Sequence, residues 1–214
     1  MKNHIQSYSI CMEVSAPLAM FARPDGGAAP TSYPAPTRSA AKGVLEAIAY
    51  LDQGAIICPT HVEICRPVGT TGGAVQYQGY ATNYGGPLRK GNQRASGSGF
   101  QFFATVLADV CYRIYAEVRG RAGGGTNPAH YLHDLFYRRL RQGRCHQTPA
   151  LGWKEFTCTY WGPFRPERYE VDTALNITIP SMLIDMWDAP QCGALAPRFV
   201  QDAQVVEGVL RYAE

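Results

Sequence analysis

Val106-Leu107-Ala108-Asp109-Val110-Cys111-Tyr112-Arg113-Ile114-Tyr115-Ala116-Glu117-Val118 alternates apolar and polar residues along most of its length. Val110, Tyr112, Ile114, Ala116 and Val118 share one side, so the spacing predicts a strand with one face turned to a core. The strand sits at the centre of a chain of 214 residues, of which 46% are apolar and 17% charged. That composition describes a globular chain of about one to one and a half domains and excludes disorder as its main state. No apolar run has the roughly 18 residues of a membrane helix. Met1 to Tyr8 lacks the apolar stretch of a secretion signal, and a cytoplasmic location is expected.

Upstream of this strand, Arg66 to Gly99 carries Gly69, Gly72, Gly73, Gly79, Gly85, Gly86, Gly91, Gly97 and Gly99, interleaved with Tyr77, Tyr80 and Tyr84. It is too long for an ordinary connection and predicts a mobile, hairpin-like excursion bearing Arg89, Lys90 and Arg94. Downstream, Gly123-Gly124-Gly125 makes a turn. Asn127-Pro128 then opens a helix with Leu132, Leu135, Phe136 and Leu140 as its buried stripe and Gly143 as its stop. Further out, Ser7–Val14 and Ala55–Cys65 read as strands, the second with an edge or bulge at Pro59. Thr37 caps a helix built on Ala41, Val44, Leu45 and Ile48. Lys154–Tyr160 and Ile177–Trp187 read as strands, and Val205, Val206, Val209 and Leu210 as a short helix.

The order strand, helix, strand, insertion, strand, helix, strand is the βαββαβ pattern of an α+β, ferredoxin-like fold, whose members include many RNA-binding modules. We assign residues 1–160 to this domain, with the insertion at about 66–105, and residues 161–214 to a short C-terminal extension.

Charge is distributed unevenly. Residues 1–88 carry five basic and five acidic side chains, and residues 145–214 carry five basic and nine acidic. Residues 89–144 carry ten basic against three acidic, and nine of those ten are arginines. Arginine forks phosphate and stacks on bases, so the middle of the chain suits a polyanion. A solvated surface would carry the same charge, and Arg138, Arg139 and Arg141 also suit a helix C-terminus electrostatically. The seven cysteines include no C-x-x-C, which fits buried thiols better than a disulfide framework or zinc ribbon. No phosphate-binding loop, dinucleotide fingerprint or serine-nucleophile elbow is present. His130, His133, Cys145 and His146 follow no common zinc spacing, and neither metal nor cofactor is expected.

Two blocks resemble a known family. The first runs Glu13-Val14-Ser15-Ala16-Pro17-Leu18-Ala19-Met20-Phe21-Ala22-Arg23-Pro24, then Ser32–Thr37, then Ser39–Ile48. The second is Asn127–Tyr131, Phe136–Arg139, Gly143–Cys145 and Leu151–Phe156. Together they are similar to the fifth family of CRISPR-associated proteins in its type I-C form, a RAMP superfamily subunit, over residues 8–160. The resemblance implies a modified ferredoxin-like domain with a protruding hairpin thumb. It also implies a place at the foot of the type I Cascade complex, an antiviral effector. There it would hold the 5′ handle of the crRNA and touch the backbone and large subunits, meeting target DNA only through the complex. Arg23, Tyr33, Arg38, Lys42, Arg89, Lys90, Arg94, Arg138, Arg139, Arg141, Arg144 and Lys154 are the expected RNA contacts. Tyr33, Tyr77, Tyr80 and Tyr84 could stack on bases or pack internally.

The type I-C form is further similar to a metal-independent endoribonuclease that cuts the repeat within pre-crRNA. The family's set is a tyrosine near the end of the first helix and a lysine–histidine pair opening the second. Here the histidine is His130, the lysine position is Ala129, and the tyrosine position is Ala49 with Tyr50 beside it. His130 and Tyr50 are the expected catalytic residues. A structural or RNA-contacting His130, or an unrelated ferredoxin-like RNA-binding protein, are the alternatives.

Overall fold

The computed structural model describes residues 5–84, 100–121, 127–187 and 195–212. Its centre is β4 (Phe100–Arg121), the strand anticipated from the alternation at 106–118, extended at both ends. The first strand, β1 (Ile5–Ala19), runs antiparallel along one side of it, with Ile10 opposite Ala116, Met12 opposite Ile114 and Val14 opposite Tyr112. On the other side lies β2 (Ala55–Pro67), also antiparallel. Between Pro59 and His61 the register of β2 slips by one residue. Ala55 and Ile57 face the core before this bulge, and Val62 and Ile64 face it afterwards. A one-residue slip inverts the faces of a strand, so the bulge keeps both halves of β2 on the core. Thr60 fills the gap by donating its hydroxyl to the Tyr115 carbonyl at 3.3 Å.

Two helices cover one face of this sheet. In α1 (Arg38–Ile48) the Thr37 hydroxyl accepts from the Ala40 amide at 3.1 Å, and Ala41, Val44, Leu45, Ala47 and Ile48 are buried. In α2 (Pro128–Gln142) Asn127 Oδ1 accepts from the His130 amide at 3.1 Å, and Gly143 closes the helix in the left-handed region at φ 64°. These caps satisfy backbone groups that the helix ends would leave unpaired.

The remaining strands extend the sheet. The strand β3 (Gln76–Tyr84) pairs antiparallel with the first half of β4 as the stem of a hairpin. Short strands β5 (Tyr160–Gly162) and β6 (Tyr169–Val171) pair with β1 and β2. The chain then folds back through β7 (Ile177–Trp187), β8 (Leu195–Val206) and β9 (Val209–Arg211). The order is β5-β1-β4-β2-β9-β8-β7, with β3 paired to β4 and β6 to β2.

Two sequence expectations are corrected. Residues 205–210 form a hairpin and not a helix. Val206 pairs with Val209 across Glu207 and Gly208, whose φ angles are 49° and 77°. Both central residues are left-handed, as a tight two-residue hairpin turn requires, and this turn puts Val205 and Leu210 into the core together. Residues 154–159 form turns, and the strand starts only at Tyr160. Phe156 and Trp153 instead fold against the hairpin stem, where Tyr80 meets Phe156 at 5.1 Å and Phe102 meets Trp153 at 5.7 Å.

This aromatic cluster lies apart from the main core. Ile10 to Ala16 and Val110 to Val118 contribute their even-numbered residues to the core under the helices. Beyond Pro17 and Asp109 the parity inverts. Ala19 and Leu107 point to the main core, whereas Met20, Ala104 and Val106 join Phe156 in the smaller cluster. Asp109 takes φ 49°, a rare conformation for a residue with a Cβ, and this twist turns the hairpin stem over relative to the body of the sheet. Among the described residues no helix is long and apolar enough to cross a membrane.

Candidate functional site

The predicted residues fall into three groups: the start of α2, the end of α2, and residues that structure has claimed. At the start of α2, His130 and His133 lie one turn apart on the outer face. Their ring centroids are 6.5 Å apart, at an interplanar angle of 26°. Asp134 serves both, its carboxylate standing 3.5 Å from His130 Nδ1 and 3.1 Å from His133 Nδ1. Tyr8 of β1 reaches over from the sheet, 5.5 Å from the His130 ring and 5.6 Å from that of His133. Its hydroxyl accepts from Asn127 Nδ2 at 2.7 Å, so the residue that caps the helix also holds the tyrosine. Tyr137 continues the row, with its ring 5.0 Å from His133 and its hydroxyl accepting from the Cys11 amide at 3.2 Å. The His130 side chain is 57% exposed, open to a large ligand.

Ala129 faces the other way. It is fully buried beside Gly120 and offers no ionisable group to the site. Tyr50 belongs to a different neighbourhood. Its hydroxyl donates to Asp52 at 3.4 Å and its ring lies 6.2 Å from His146. The charge of Asp52 holds the phenol above the ordinary tyrosine range, favouring its neutral form. Among the described residues, no contact is shared between the Tyr50 and His130 groups.

At the end of α2, Arg138, Arg139, Gln142 and Arg144 line a shallow concavity, with no carboxylate in its wall among the described residues. Arg138, Arg141 and Arg144 are exposed. Arg139 is different: its Nη1 donates to the Ile48 carbonyl at 2.8 Å, and the His146 amide donates to the Ala47 carbonyl at 2.8 Å. These two contacts satisfy the open end of α1, so Arg139 ties the two helices together, whereas Arg141 Nε donates to the Tyr137 carbonyl at 3.3 Å within α2 itself.

Several other predicted RNA contacts are already engaged. Arg23 forks Asp25, with Nε donating to Oδ1 at 3.0 Å and Nη2 to Oδ2 at 2.6 Å. Lys42 pairs with Glu46 at 3.5 Å along α1. Arg38 is half-buried at the start of α1. Tyr33 is 2% exposed and its hydroxyl accepts from the Leu183 amide at 3.0 Å. A ring packed on both faces cannot stack on a base, so the expected role of Tyr33 is corrected to that of a core residue. Tyr80 packs against Phe156, while Tyr77 keeps 47% of its surface open. Lys154 is exposed beside a groove between α1 and the 147–154 turn. Arg89, Lys90 and Arg94 lie outside the described residues.

The opposite face of the sheet holds a network that sequence reasoning missed. Glu13 is fully buried. Arg165 Nε donates to its Oε1 at 2.8 Å, the Arg165 amide to Oε2 at 3.1 Å, and Arg113 Nε to Oε2 at 3.3 Å. Arg113 also donates to the Tyr169 carbonyl at 2.8 Å, and the Arg165 guanidinium lies on the Tyr160 ring. The segment from β5 to β6 is thus fastened across that face. Nothing in the local sequence links Glu13 to a residue 152 positions away.

The model of the family described as CRISPR-associated protein (Cas_Cas5), in its Cas5d form, matches residues 9–177. The chain belongs to the Cas5 family, in its type I-C form. A curated relative from Thermus thermophilus, named CRISPR pre-crRNA endoribonuclease Cas5d, is 31% identical over 168 residues, which cover 78% of this chain and 69% of that protein. A relative of the same name from Mannheimia succiniciproducens is 30% identical over 155 residues, covering 64% of this chain and 65% of that one. The crystal structure of a CRISPR-associated protein superposes with a TM-score of 0.66 at 18% identity, covering 99% of this chain and 95% of the other. That last likeness concerns the fold: a mostly antiparallel sheet with few helices.

Proposed function

We propose that this Cas5 protein is the crRNA-binding subunit of a Cascade-type complex, working in the cytoplasm and holding the 5′ handle of the guide. The observation that carries this reading is the exposed arginine surface at the end of α2, where Arg138 and Arg144 line a concavity, Arg141 stands exposed nearby, and none of the three has a carboxylate partner among the described residues. Arginine on such a surface recognises phosphate by paired donors. The β1-α1-β2-β4-α2-β5 core, with sheet order β5-β1-β4-β2, supports a ferredoxin-like domain. The β3–β4 hairpin is its thumb, and residues 161–214 extend the domain, with β6 and β9 lying along β2. Backbone and large subunits of the complex are the expected partners. The test is a binding titration with repeat RNA and a scrambled RNA of equal length. Preference for the repeat supports the handle, and equal affinity argues for an unrelated RNA-binding protein.

A second reading is favoured by the open His130 surface and by the names of the two relatives. In it the protein also cuts the repeat without metal, using the RNA 2′-hydroxyl as nucleophile. Such cleavage needs a base for that hydroxyl and an acid for the 5′-oxygen that leaves. Incubation of purified protein with repeat RNA in EDTA decides it, by the presence or absence of a single cut.

A further inference from the structure

We propose that His133 is a second catalytic residue, sharing with His130 the two proton transfers of repeat cleavage; this rests on the endoribonuclease reading above. Ala129 sets the constraint. Ala129 brings no ionisable group and is buried beside Gly120, so the partner of His130 lies elsewhere, and the outer face of α2 supplies one. One turn along that face stands His133, because residues three apart on a helix are neighbours. Both imidazoles turn Nδ1 toward the single carboxylate of Asp134, which leaves the two Nε2 atoms on the far side of the rings. Tyr8 lies at almost equal distance from both rings and is itself fixed through Asn127. The pair is therefore held from below by a carboxylate and from the sheet by a phenol.

The spacing suits one phosphodiester. With ring centroids 6.5 Å apart, both Nε2 atoms can reach oxygens on opposite sides of one phosphorus through hydrogen bonds of about 2.8 Å. One neutral imidazole takes the proton of the 2′-hydroxyl. The 2′-oxygen bonds to phosphorus, and the bond from phosphorus to the 5′-oxygen breaks. The other imidazole, protonated at the start, gives its proton to that oxygen. The products are a 2′,3′-cyclic phosphate and a 5′-hydroxyl, and the two rings end with their protonation exchanged, which water resets. No metal or redox partner enters the balance.

The experiment measures single-turnover cleavage of repeat RNA in EDTA across a range of pH. It uses wild type, His130→Ala and His133→Ala, each on natural RNA and on RNA with sulfur in place of the leaving 5′-oxygen. Thiolate leaves without a general acid. Each variant is expected to lose about 10²- to 10⁴-fold on natural RNA, with binding of the RNA retained. The bell-shaped pH profile of the wild type should become single-limbed in each variant, and the sulfur substrate should restore one of the two and not the other. A wild-type rate in His133→Ala beside a slow His130→Ala overturns this inference and leaves the endoribonuclease intact. Failure of sulfur to restore either variant overturns it as well. No cleavage by the wild type overturns the endoribonuclease reading and this inference with it.

Discussion

Glu13 and Arg165, 152 residues apart, meet through two hydrogen bonds: the guanidinium donates to Oε1 at 2.8 Å and the backbone amide to Oε2 at 3.1 Å. Glu13 is shut off from water, and the side chains of its partners Arg113 and Arg165 are only 12% and 16% exposed. Removing one member of such a set leaves cations buried without compensation, at a cost of about 3–5 kcal/mol. Glu13→Ala should therefore lower the urea midpoint sharply, and Glu13→Gln, which keeps an acceptor, should lower it less. Equal midpoints for Glu13→Ala and wild type would refute the role assigned to the network.

Gly152 takes φ 90°, and a Cβ there would strike the Met20 carbonyl oxygen. The same carbonyl region is pinned by the Met20 amide, which donates to the Leu151 carbonyl at 2.9 Å. Gly152→Ala should cost about 2 kcal/mol or more, because both the conformation and the space forbid the methyl group. Since Trp153 follows directly, its fluorescence should change with the loss of thermal stability. An unaltered melting temperature would contradict the packing described.

Replacement of Arg138, Arg141 and Arg144 by Gln should weaken RNA binding while leaving the melting temperature close to wild type. On single-stranded RNA the slope of log affinity against log salt should shrink by about 0.7 for each phosphate that an arginine no longer neutralises. Arg139→Gln should behave in the opposite way, costing stability through the freed Ile48 carbonyl. A triple variant with unchanged salt dependence would remove the interface from the end of α2.

Burial pushes the Cys158 thiol up to about 12. The unfolded thiol titrates near 8.5, so between about 8.5 and 12 the folded chain keeps a proton that the unfolded chain has lost. Stability contributed by this group is complete below the lower value and declines as pH rises, by up to about 1.4 kcal/mol per pH unit. Urea midpoints should fall between about pH 8.5 and 10.5, and Cys158→Ala should flatten that fall. The exposed Cys145 should react with iodoacetamide at about pH 8 well before Cys158 does.

Both helices are legible in the sequence because their signals are local. Thr37, the Asn127-Pro128 start and the Gly143 stop each act within one turn of their position. The bulge at Pro59 is legible because proline cannot donate to a ladder. The 205–210 hairpin is not, since Val205, Val206, Val209 and Leu210 also fit a helical spacing. Only the left-handed pair Glu207-Gly208 distinguishes the two, and glycine is the available clue. Lys154–Tyr160 reads wrongly as a strand because its aromatics serve a cluster under the hairpin, which depends on the inversion at Asp109. At the site, His130 is legible and its surroundings are half visible: His133 and Asp134 follow from helical spacing, whereas Tyr8 is brought in by strand pairing. The arginines can be counted from sequence, but which of them is committed to Ile48 cannot be read there.

The 22 residues of β4 run without interruption from the heart of the sheet into the stem of the hairpin. Fully extended, that is roughly 70 Å of backbone, of which the part from Leu107 to Arg121 lies against β1 in the body of the sheet. The stretch from Phe100 to Val106 continues from that anchorage as the partner of β3, past the left-handed backbone at Asp109, so a load on it passes into β1, β2 and the two helices resting on them. The tilt of the β3–β4 pair and the set of the two helices over the sheet are therefore linked through one continuous strand.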